Sequence, residues 1–411
     1  MKVAGKKVIL LFLTLMLCVS FTGCMPEHSK RELNSIAIVM GLGLDRVTEE
    51  NEIPFEDGDL HVTAQVVRTG SLSGGSSKSG SATSNSADAM YWNLQMVGED
   101  IFPMLRGSVK QSNRNLYISH NQVIVFGEDL AREGLAPFMD YFFREREMRY
   151  NVLLAVSEQP AKDILGIAPS LETLPAQEIA KLLKIQAKNA EAPTISLFDF
   201  AVDMKSARKA AVIPLIDAKE SGEEEKTIYV DGCAVFNDWK MVGKLTASQT
   251  RGFLWTAGDI ESTVFTVPVE DARFSLTVTG KKGEMQVHFD PEKGYEGISV
   301  SFQVSADAVV GHIDGTYDLH QKGGLEAIQN ACGTFIGGEI CDAITQSRKL
   351  NSDIFGISEH LSRYAPKLWG QIEGEWEKYF TGITYEVSVD ANVRRTGSLV
   401  DPVLKESVQY E

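Results

Sequence analysis

The sequence contains few of the residue patterns on which enzyme and metal sites depend. Its 411 residues include five cysteines and seven histidines, with no CxxC pair, HExxH helix, P-loop or GxSxG turn among them. No two histidines have the spacing that would place both on one helical face as metal ligands. His120 is a candidate general base, but we interpret it as a hydrogen-bonded structural histidine at the start of a buried strand. We therefore expect neither catalysis nor a bound metal or other cofactor.

Basic residues are also in the minority. The chain has 40 Lys and Arg against 56 Asp and Glu, so its net charge is −16, while hydrophobic residues at 43% indicate ordinary globular domains. An acidic chain gains nothing from phosphate backbones and is repelled by anionic headgroups. We therefore exclude nucleic acid as a partner, and we expect any membrane attachment to come from a lipid or from protein partners and not from a basic surface.

Long apolar runs are absent except near the N-terminus. There an apolar run from Val8 to Val19 follows three lysines and precedes Thr22, Gly23 and Cys24. The run has the length of a secretory signal and is too short for a stable transmembrane helix. The arrangement resembles a bacterial lipobox, in which residues 1–23 are removed and Cys24 receives a diacylglycerol. The alternative is an ordinary secretory signal with a chance cysteine; in either case the mature chain carries −19, because the signal holds three lysines and no acid.

Three cysteines remain after Cys18 and Cys24 are set aside. They are Cys233, Cys332 and Cys341, an odd number, so at least one is free or pairs between chains. Cys332 and Cys341 are nine residues apart in a predicted helix, on opposite faces, so we expect no disulfide between them. We predict that these cysteines fill the core.

The pattern of elements predicts a mixed α+β protein of more than one domain. Strands and helices alternate in an N-terminal α/β module, residues 24–218, which contains a flexible Ser/Gly loop at residues 70–86. A polar linker at 219–226 precedes a C-terminal antiparallel α+β domain with long helices, residues 227–400, and a tail at 401–411. The predicted strands are 33–45, 60–68, 115–126, 151–156, 227–236, 262–269, 273–280, 284–289, 298–310 and 384–394; the predicted helices are 87–105, 129–146, 161–165, 176–188, 323–348 and 353–378, the last broken at Pro366.

A charged segment at 144–149 is a candidate surface for docking a partner. Arg144, Glu145 and Arg149 lie at the predicted end of a helix, where Glu145 and Arg149 are spaced for an i,i+4 ion pair. The alternative is a solvated helix face with no partner.

Several segments, taken in order, resemble the spore germination receptor C subunits, the Ger(x)C lipoproteins. Residues 113–131 (NRNLYISHNQVIVFGEDLA) are similar to the family's "R-x-L-Y…H…V-I-V-x-G-E-x-L-A" segment. Two departures are Glu145, where the family pattern has Asp, and Phe21, where a lipobox more often has Leu. The other similar segments are Leu33 to Asp45, Asp140 to Arg149, Ala234 to Phe236, Met241 to Leu245, Thr250 to Trp255 and Val393 to Gly397.

The resemblance implies a non-catalytic lipoprotein on the outer face of the spore inner membrane. Such a subunit works with a membrane-embedded A subunit and a transporter-like B subunit to trigger germination in response to nutrients. An alternative of another class is the solute-binding lipoprotein of an ABC-type importer. That alternative predicts two lobes of mostly parallel sheet, with which the predicted strand meander at 227–310 disagrees.

Overall fold

We describe the protein from a computed structural model. The structure describes residues 35–47, 59–68, 90–208, 210–220, 226–258, 260–317, 319 and 322–394. The predicted signal peptide, Cys24, the Ser/Gly loop and the tail lie outside these residues. The mixed α+β class and the arrangement in several layers are confirmed.

The first sheet is mixed and has nine strands in the described part of the chain. Its spatial order is β3-β2-β1-β5-β6-β7-β8-β9, with β4 beside the start of β1. The outer strands on each side pair antiparallel, while β1, β5, β6 and β7 run parallel. Strands β5 and β6 are buried along their whole length, as expected for parallel strands covered on both faces. The strands are β1 (Ile36–Arg46), β2 (Leu60–Val67), β3 (Tyr91–Gly98), β4 (Asn115–Tyr117), β5 (Val123–Gly127), β6 (Leu153–Ser157), β7 (Ala210–Glu220), β8 (Lys226–Asn237) and β9 (Lys240–Leu245).

Helices cover both faces of this sheet and build a separate core on each. Four helices pack on one face around Phe126, Phe142 and Phe200, and two pack on the other around Val123 and Leu183. On the first face lie α1 (Ile101–Gly107), α2 (Glu128–Glu133), α3 (Ala136–Arg144) and α6 (Leu197–Lys205), and on the second lie α4 (Ala161–Ile164) and α5 (Pro175–Ile185).

The second sheet has four strands and shares its core with the remaining helices. Strands β10, β11 and β12 are antiparallel, whereas β13 runs parallel to β12. A parallel return needs a crossover, and the long helix α8 with the helices after it provides one. The strands are β10 (Thr263–Val269), β11 (Ala272–Phe289), β12 (Ile298–Asp314) and β13 (Thr384–Arg394); the helices are α7 (Ala247–Ala257), α8 (Gly324–Lys349), α9 (Ile357–Tyr364), α10 (Pro366–Ile372) and α11 (Trp376–Gly382).

Two predicted helices in the first module were wrong in whole or in part. Residues 91–98 form β3 and not helix. Their apolar positions are compatible with a helix or a strand, and antiparallel pairing with β2 favours the strand. The predicted helix at 129–146 is two helices, which Gly134 separates with a φ of 131° that favours glycine. Pro137 then lies in the first turn of α3, a position that suits proline.

Further corrections concern the second sheet. The predicted break between the strands at 273–280 and 284–289 is wrong, since β11 continues through Lys282 and Gly283 to a length of 18 residues. Gly283 instead permits close approach, because a Cβ there would lie 2.7 Å from the backbone oxygen of Trp255. The closing strand at 384–394 is confirmed, but its pairing with β12 is parallel and not part of an antiparallel meander.

The first sheet continues across the predicted linker at 219–226. Strand β7 ends at Glu220 and β8 begins at Lys226, and the two pair as an antiparallel hairpin. Strands β8 and β9 therefore add to the first sheet although they follow the linker. The division of the chain into domains at this point stays a prediction.

Helices α6 and α7 were not predicted, although each begins with a capping box. Ser196 caps α6 with Asp199, and Thr246 caps α7 with Gln249, each pair exchanging hydrogen bonds between side chain and backbone. This S/T-x-x-acid/amide pattern is a sequence signal for a helix start.

A buried carboxylate joins α7 to α8. Glu339 is 6% exposed and accepts hydrogen bonds from Arg251 Nε at 3.0 Å and from Trp255 Nε1 at 3.1 Å. A second Arg251 nitrogen also binds this carboxylate. Gly252 lies between Arg251 and Trp255 in α7, and a Cβ there would overlap the backbone oxygen of Glu339. Helices α7 and α8 therefore approach each other closely at Gly252, where only glycine fits. The Arg251–Glu339 ion pair lies beside this contact with its hydrogen bonds satisfied.

We expect Glu339→Ala to lower the free energy of unfolding by about 3–5 kcal/mol, because it leaves the Arg251 charge buried without a partner. Chemical denaturation of the mature chain measures the change. Asp342→Ala is the matched control, since Asp342 is exposed on the same helix and should change stability by less than about 0.5 kcal/mol. Equal stabilities for the two variants would contradict this account of the helix contact.

Candidate docking cleft

A cleft of about 1120 Å³ opens at one end of the first sheet. It lies where β1 ends and β2 begins, and it is bounded by the start of α1, by α3 and by the turn between β8 and β9. Its lining residues are Arg46, Asp59, Leu60, Glu99, Asp100, Ile101, Phe102, Leu130, Glu133, Gly134, Ala136, Pro137, Phe138, Asp140, Tyr141, Arg144, Glu145, Asp238, Trp239 and Lys240.

The cleft is acidic and aromatic. Its lining holds seven carboxylates and three basic side chains, together with four aromatic rings. Phe102 is 51% exposed at the mouth, and its ring lies 6.2 Å from that of Tyr141. Burial first, and then the neighbouring charge of Glu145, raise the pKa of Tyr141, so its hydroxyl stays protonated and can donate. Such a surface suits a ligand with positive charge and apolar side chains.

Ion pairs fix two of the three basic side chains of the cleft, Arg46 and Arg144, to its walls. Arg46 bridges the end of β1 to α2 and β2, with Nε 3.1 Å from Glu133 and Nη2 3.5 Å from Asp59. Arg144 Nε donates to Asp140 Oδ2 at 2.7 Å, and this hydrogen bond lowers the pKa of Asp140. Because these bases already have acidic partners, they do little to neutralise the other carboxylates.

Trp239 occupies an unfavourable backbone conformation in the cleft. Asp238 and Trp239 both have positive φ, 46° and 69°, as the two central residues of a tight β-hairpin turn require. Glycine or asparagine is the usual solution there, and a tryptophan costs energy. Its ring packs edge-on against Phe200 at 5.8 Å, and its backbone oxygen accepts from Leu135 N at 2.9 Å. The fold thus holds a large aromatic side chain at the cleft despite strain.

The predicted docking residues are only partly brought together. Arg144 and Glu145 line the cleft, whereas Arg149 lies outside it and is exposed. The predicted Glu145–Arg149 ion pair is wrong, because α3 ends at Arg144 and Glu145 instead pairs with Arg106 at 3.5 Å. The residues that give the cleft its character, Phe102 and Trp239, had no signal in the sequence, since they come together only through the packing of α1 and the β8–β9 turn.

The remaining candidate residues from the sequence are His120 and the three cysteines. His120 is exposed and not buried, with its ring 5.8 Å from that of Tyr117. Cys233, Cys332 and Cys341 are free thiols. The prediction that they fill the core is confirmed for Cys233 and Cys332, where burial raises the pKa to about 12 and about 11, and it is wrong for Cys341, which is exposed. Within the described ranges, no group of three or more His, Cys, Asp or Glu side chains is placed to hold a metal ion.

Asp45, the last residue of the family-like segment 33–45, supports the fold from a buried position. It is 2% exposed, and its carboxylate accepts from Ala161 N at 2.7 Å and Lys162 N at 3.1 Å, at the start of α4. A Cβ on Gly127 would lie 2.5 Å from Asp45 Oδ1. Two segments of the resemblance, one ending in Asp45 and one containing Gly127, therefore meet at the cap of one helix.

Both parts of the chain match family models of spore germination proteins. The family model described as "Spore germination protein N-terminal domain" matches residues 29–218, and the model described as "Spore germination B3/ GerAC like, C-terminal" matches residues 231–397. The chain belongs to the GerAC-like family of spore germination proteins. The resemblance found in the sequence is thereby confirmed.

Relatives in this family align with nearly the full length of the chain. Spore germination protein KC of Bacillus subtilis (strain 168) is 25% identical over 418 residues, covering 97% of this chain and 98% of the relative. Spore germination protein B3 of the same organism is 20% identical, covering 97% and 100%. The crystal structure of the GerBC protein matches with a TM-score of 0.54 at 15% identity, over 86% of this chain and 97% of that one, which shows a common fold.

We expect Asp45→Ala to lower the free energy of unfolding by about 1–3 kcal/mol, since two amide donors lose their acceptor and one of them is buried. Asp59→Ala is the control, because Asp59 lies at the same end of the sheet with its side chain 79% exposed. Thermal or urea unfolding of both variants makes the comparison. An unchanged Asp45→Ala protein would show that the cap is dispensable.

Proposed function

We propose that this protein is the non-catalytic lipoprotein C subunit of a nutrient germinant receptor. In this proposal acyl chains on Cys24 hold it on the outer face of the spore inner membrane, where it acts with membrane-embedded A and B subunits to trigger germination. The observation that carries the proposal is the match of both halves of the chain to spore germination families. The family membership also favours the receptor over the importer alternative.

The mode of attachment rests on the lipobox. A single acyl chain anchors only marginally, whereas two or more hold a protein on the bilayer effectively permanently. In the described part of the chain, no helix is long and apolar enough to cross a membrane. In this proposal the membrane-embedded partners contact a protein that its acyl chains hold at the membrane surface.

The cleft is the proposed docking site for one of these partners. Its seven carboxylates against three bases favour a segment that carries Lys or Arg, and its partly exposed rings favour apolar side chains on the same segment. Phe102 and Trp239 have the character of interface hot spots, which are enriched in aromatic residues. Arg144 and Glu145 are proposed as contacts at its border.

Cys24→Ala tests the anchor. We expect the variant to fold but to leave the membrane fraction, so that recovery of A and B subunits falls and the germination response to nutrients weakens. The measurement is co-purification from detergent-solubilised spore inner membrane through a C-terminal tag, with the germination rate determined in parallel. A normal response at normal receptor levels would overturn the proposed anchor. Recovery of an ATPase-driven permease would favour the importer, as would micromolar binding of amino acids or sugars in calorimetric titration.

The double variant Glu99→Lys/Phe102→Ser tests the cleft. Both side chains are exposed, so we expect normal folding but at least a tenfold loss of partner recovery, since loss of an interface aromatic and a charge reversal each cost about 1–2 kcal/mol. The matched control is Glu386→Lys/Val264→Ser on the second sheet, where the two residues are also exposed. Equal recovery with both double variants would remove the cleft from the proposal and leave the anchor standing.

A further inference from the structure

Strand β13 leaves one long edge of the second sheet open. In the described part of the chain it pairs only with β12, so the backbone N–H and C=O groups of its other edge face no strand. The strand has 11 residues with neither proline nor lysine, and its pairing with β12 contains no bulge. Natural edges are usually short, bulged or interrupted by such residues, because an open edge is a template for another strand.

The opposite edge of the same sheet has the protection that β13 lacks. Strand β10 contains Pro268, which cannot donate a hydrogen bond to a neighbouring strand. The start of β10 is also bonded to the first module, since Thr263 Oγ1 donates to Asn189 O at 2.8 Å and Ser262 N donates to Ala187 O at 3.3 Å. One edge of this sheet is therefore guarded, and the other is free to pair.

A groove of about 900 Å³ lies between the free edge and α8. Gly333 and Gly337 line it on the helix side. A Cβ on Gly333 would lie 3.4 Å from Val389 O and one on Gly337 would lie 3.8 Å from Val389 Cγ2, which are ordinary contacts, while one on Gly338 would meet no described atom within 4 Å. Glycine destabilises the interior of a helix. The packing of the described residues therefore does not account for these three glycines.

Strand β13 is compatible with antiparallel pairing to its own sequence when Val389 faces Val389 of a second copy. All 11 residues are then paired, Ser388 faces Asp390, and Glu386 faces Asn392, so no like charges are opposed. Moving the centre to Ser388 would place Glu386 against Asp390, and moving it to Asp390 would place that carboxylate against its own copy. Like charges directly opposite each other are destabilising. The charges of the edge therefore favour the register centred on Val389.

The same centre brings the glycines of α8 together. Because Gly333 and Gly337 both lie beside Val389, a two-fold axis at Val389 directs these parts of the two α8 helices toward each other. The G-x-x-x-G spacing places both glycines on one side of the helix, where it permits two backbones to approach closely. A surface that meets its own copy across a two-fold axis is the commonest arrangement in oligomers. The open edge and the glycines thus point to one occupant.

We propose that β13 and the glycine side of α8 form a symmetric interface with a second copy of this chain. The two four-stranded sheets join into one sheet of eight strands, with both α8 helices on the same face. This inference goes beyond the proposed function and does not depend on it, because it concerns contacts between copies of this chain alone. Acyl anchors on one bilayer would raise the effective concentration of the two copies, so the intrinsic affinity need only be weak.

The charge at position 388 tests the interface. Analytical ultracentrifugation of the mature chain with Cys24→Ala should show a monomer–dimer equilibrium. Ser388→Glu opposes Asp390 twice and should weaken the dimer about tenfold, whereas Ser388→Lys should strengthen it several-fold. Glu386→Lys, which faces neutral Asn392, is the control and should change the affinity less than about threefold. Positions 386 and 388 are exposed, so the variants should fold. A dimer that responds equally to Glu and Lys at position 388 uses another face and would overturn the proposal.

Cross-linking detects a dimer too weak for sedimentation. In a Cys341→Ser background, Glu386→Cys/Asn392→Cys places two cysteine pairs opposite each other with Cα atoms about 4.5–5.5 Å apart, within the range of a disulfide. Oxidation of this variant, lipidated on vesicles, should give a covalent dimer. The matched control Glu386→Cys/Ser388→Cys opposes no two cysteines in this register and should stay monomeric.

Three results would contradict the interface and leave the Cys24 experiment unaffected. The first is a chain that is monomeric in solution and gives no cross-link on vesicles. The second is equal cross-linking of both cysteine variants, which would show random collision. The third is a dimer that forms only after residues 398–411 are removed, because the tail would then be the segment that covers the edge in the full chain.

Discussion

The Glu339 carboxylate connects the two sheets of this molecule. Helix α7 continues directly from the last strand of the first sheet, and α8 belongs to the crossover of the second, so the contact between these helices sets how the sheets are related. Arg251 donates to both carboxylate oxygens and Trp255 donates to Oε2, which compensates for removing the charge from water. A hydrophobic contact could be as stable, but it would not fix the rotation of one helix against the other so narrowly. Gly252 completes the constraint because it lets the backbones meet.

A second set of bonds secures this relationship around the ends of α8. Ser352 Oγ donates to the backbone oxygen of Phe236 at 3.1 Å, and Asn237 Nδ2 donates to that of Asn351 at 3.2 Å. Both bonds join the segment after α8 to β8 of the first sheet. The hairpin that presents Trp239 begins at the same Asn237. The cleft is therefore attached to the part of the first sheet that is hydrogen-bonded to the segment after α8.

Much of the fold could be predicted from local patterns, and the failures have definite causes. The strands at 60–68 and 384–394 alternate cleanly and were found, as was the long helix at 323–348 despite Gly333 and Gly337, which face Val389 of β13. Residues 91–98 were assigned to a helix because pairing between strands distant in sequence leaves no local mark. The cleft could not be predicted from the sequence for the same reason. Arg144 and Glu145 stood out as charges, whereas Phe102 and Trp239 acquire their meaning only from neighbours far along the chain.

Total charge does not describe the charge of a local surface. The cleft lining holds seven carboxylates and three bases, whereas the neighbouring segment at 144–149 alternates three arginines with Glu145 and Glu147. A net charge averages over faces that never meet the same partner, so it limits the colloidal behaviour of the protein more than the contacts of any single face.

Several residues that carry the family resemblance hold the fold together. Asp45 and Gly127 meet at the cap of α4, and the segment Thr250 to Trp255 supplies the contact with Glu339. These are constraints on backbone approach and on buried charge, which tolerate little substitution once the fold depends on them. Asp140, Arg144 and Glu145 of the cleft lie within a segment of the resemblance, whereas Glu99, Phe102 and Trp239 lie outside every such segment. The resemblance therefore reflects constraints on the fold at the buried contacts, and it covers the cleft only in part.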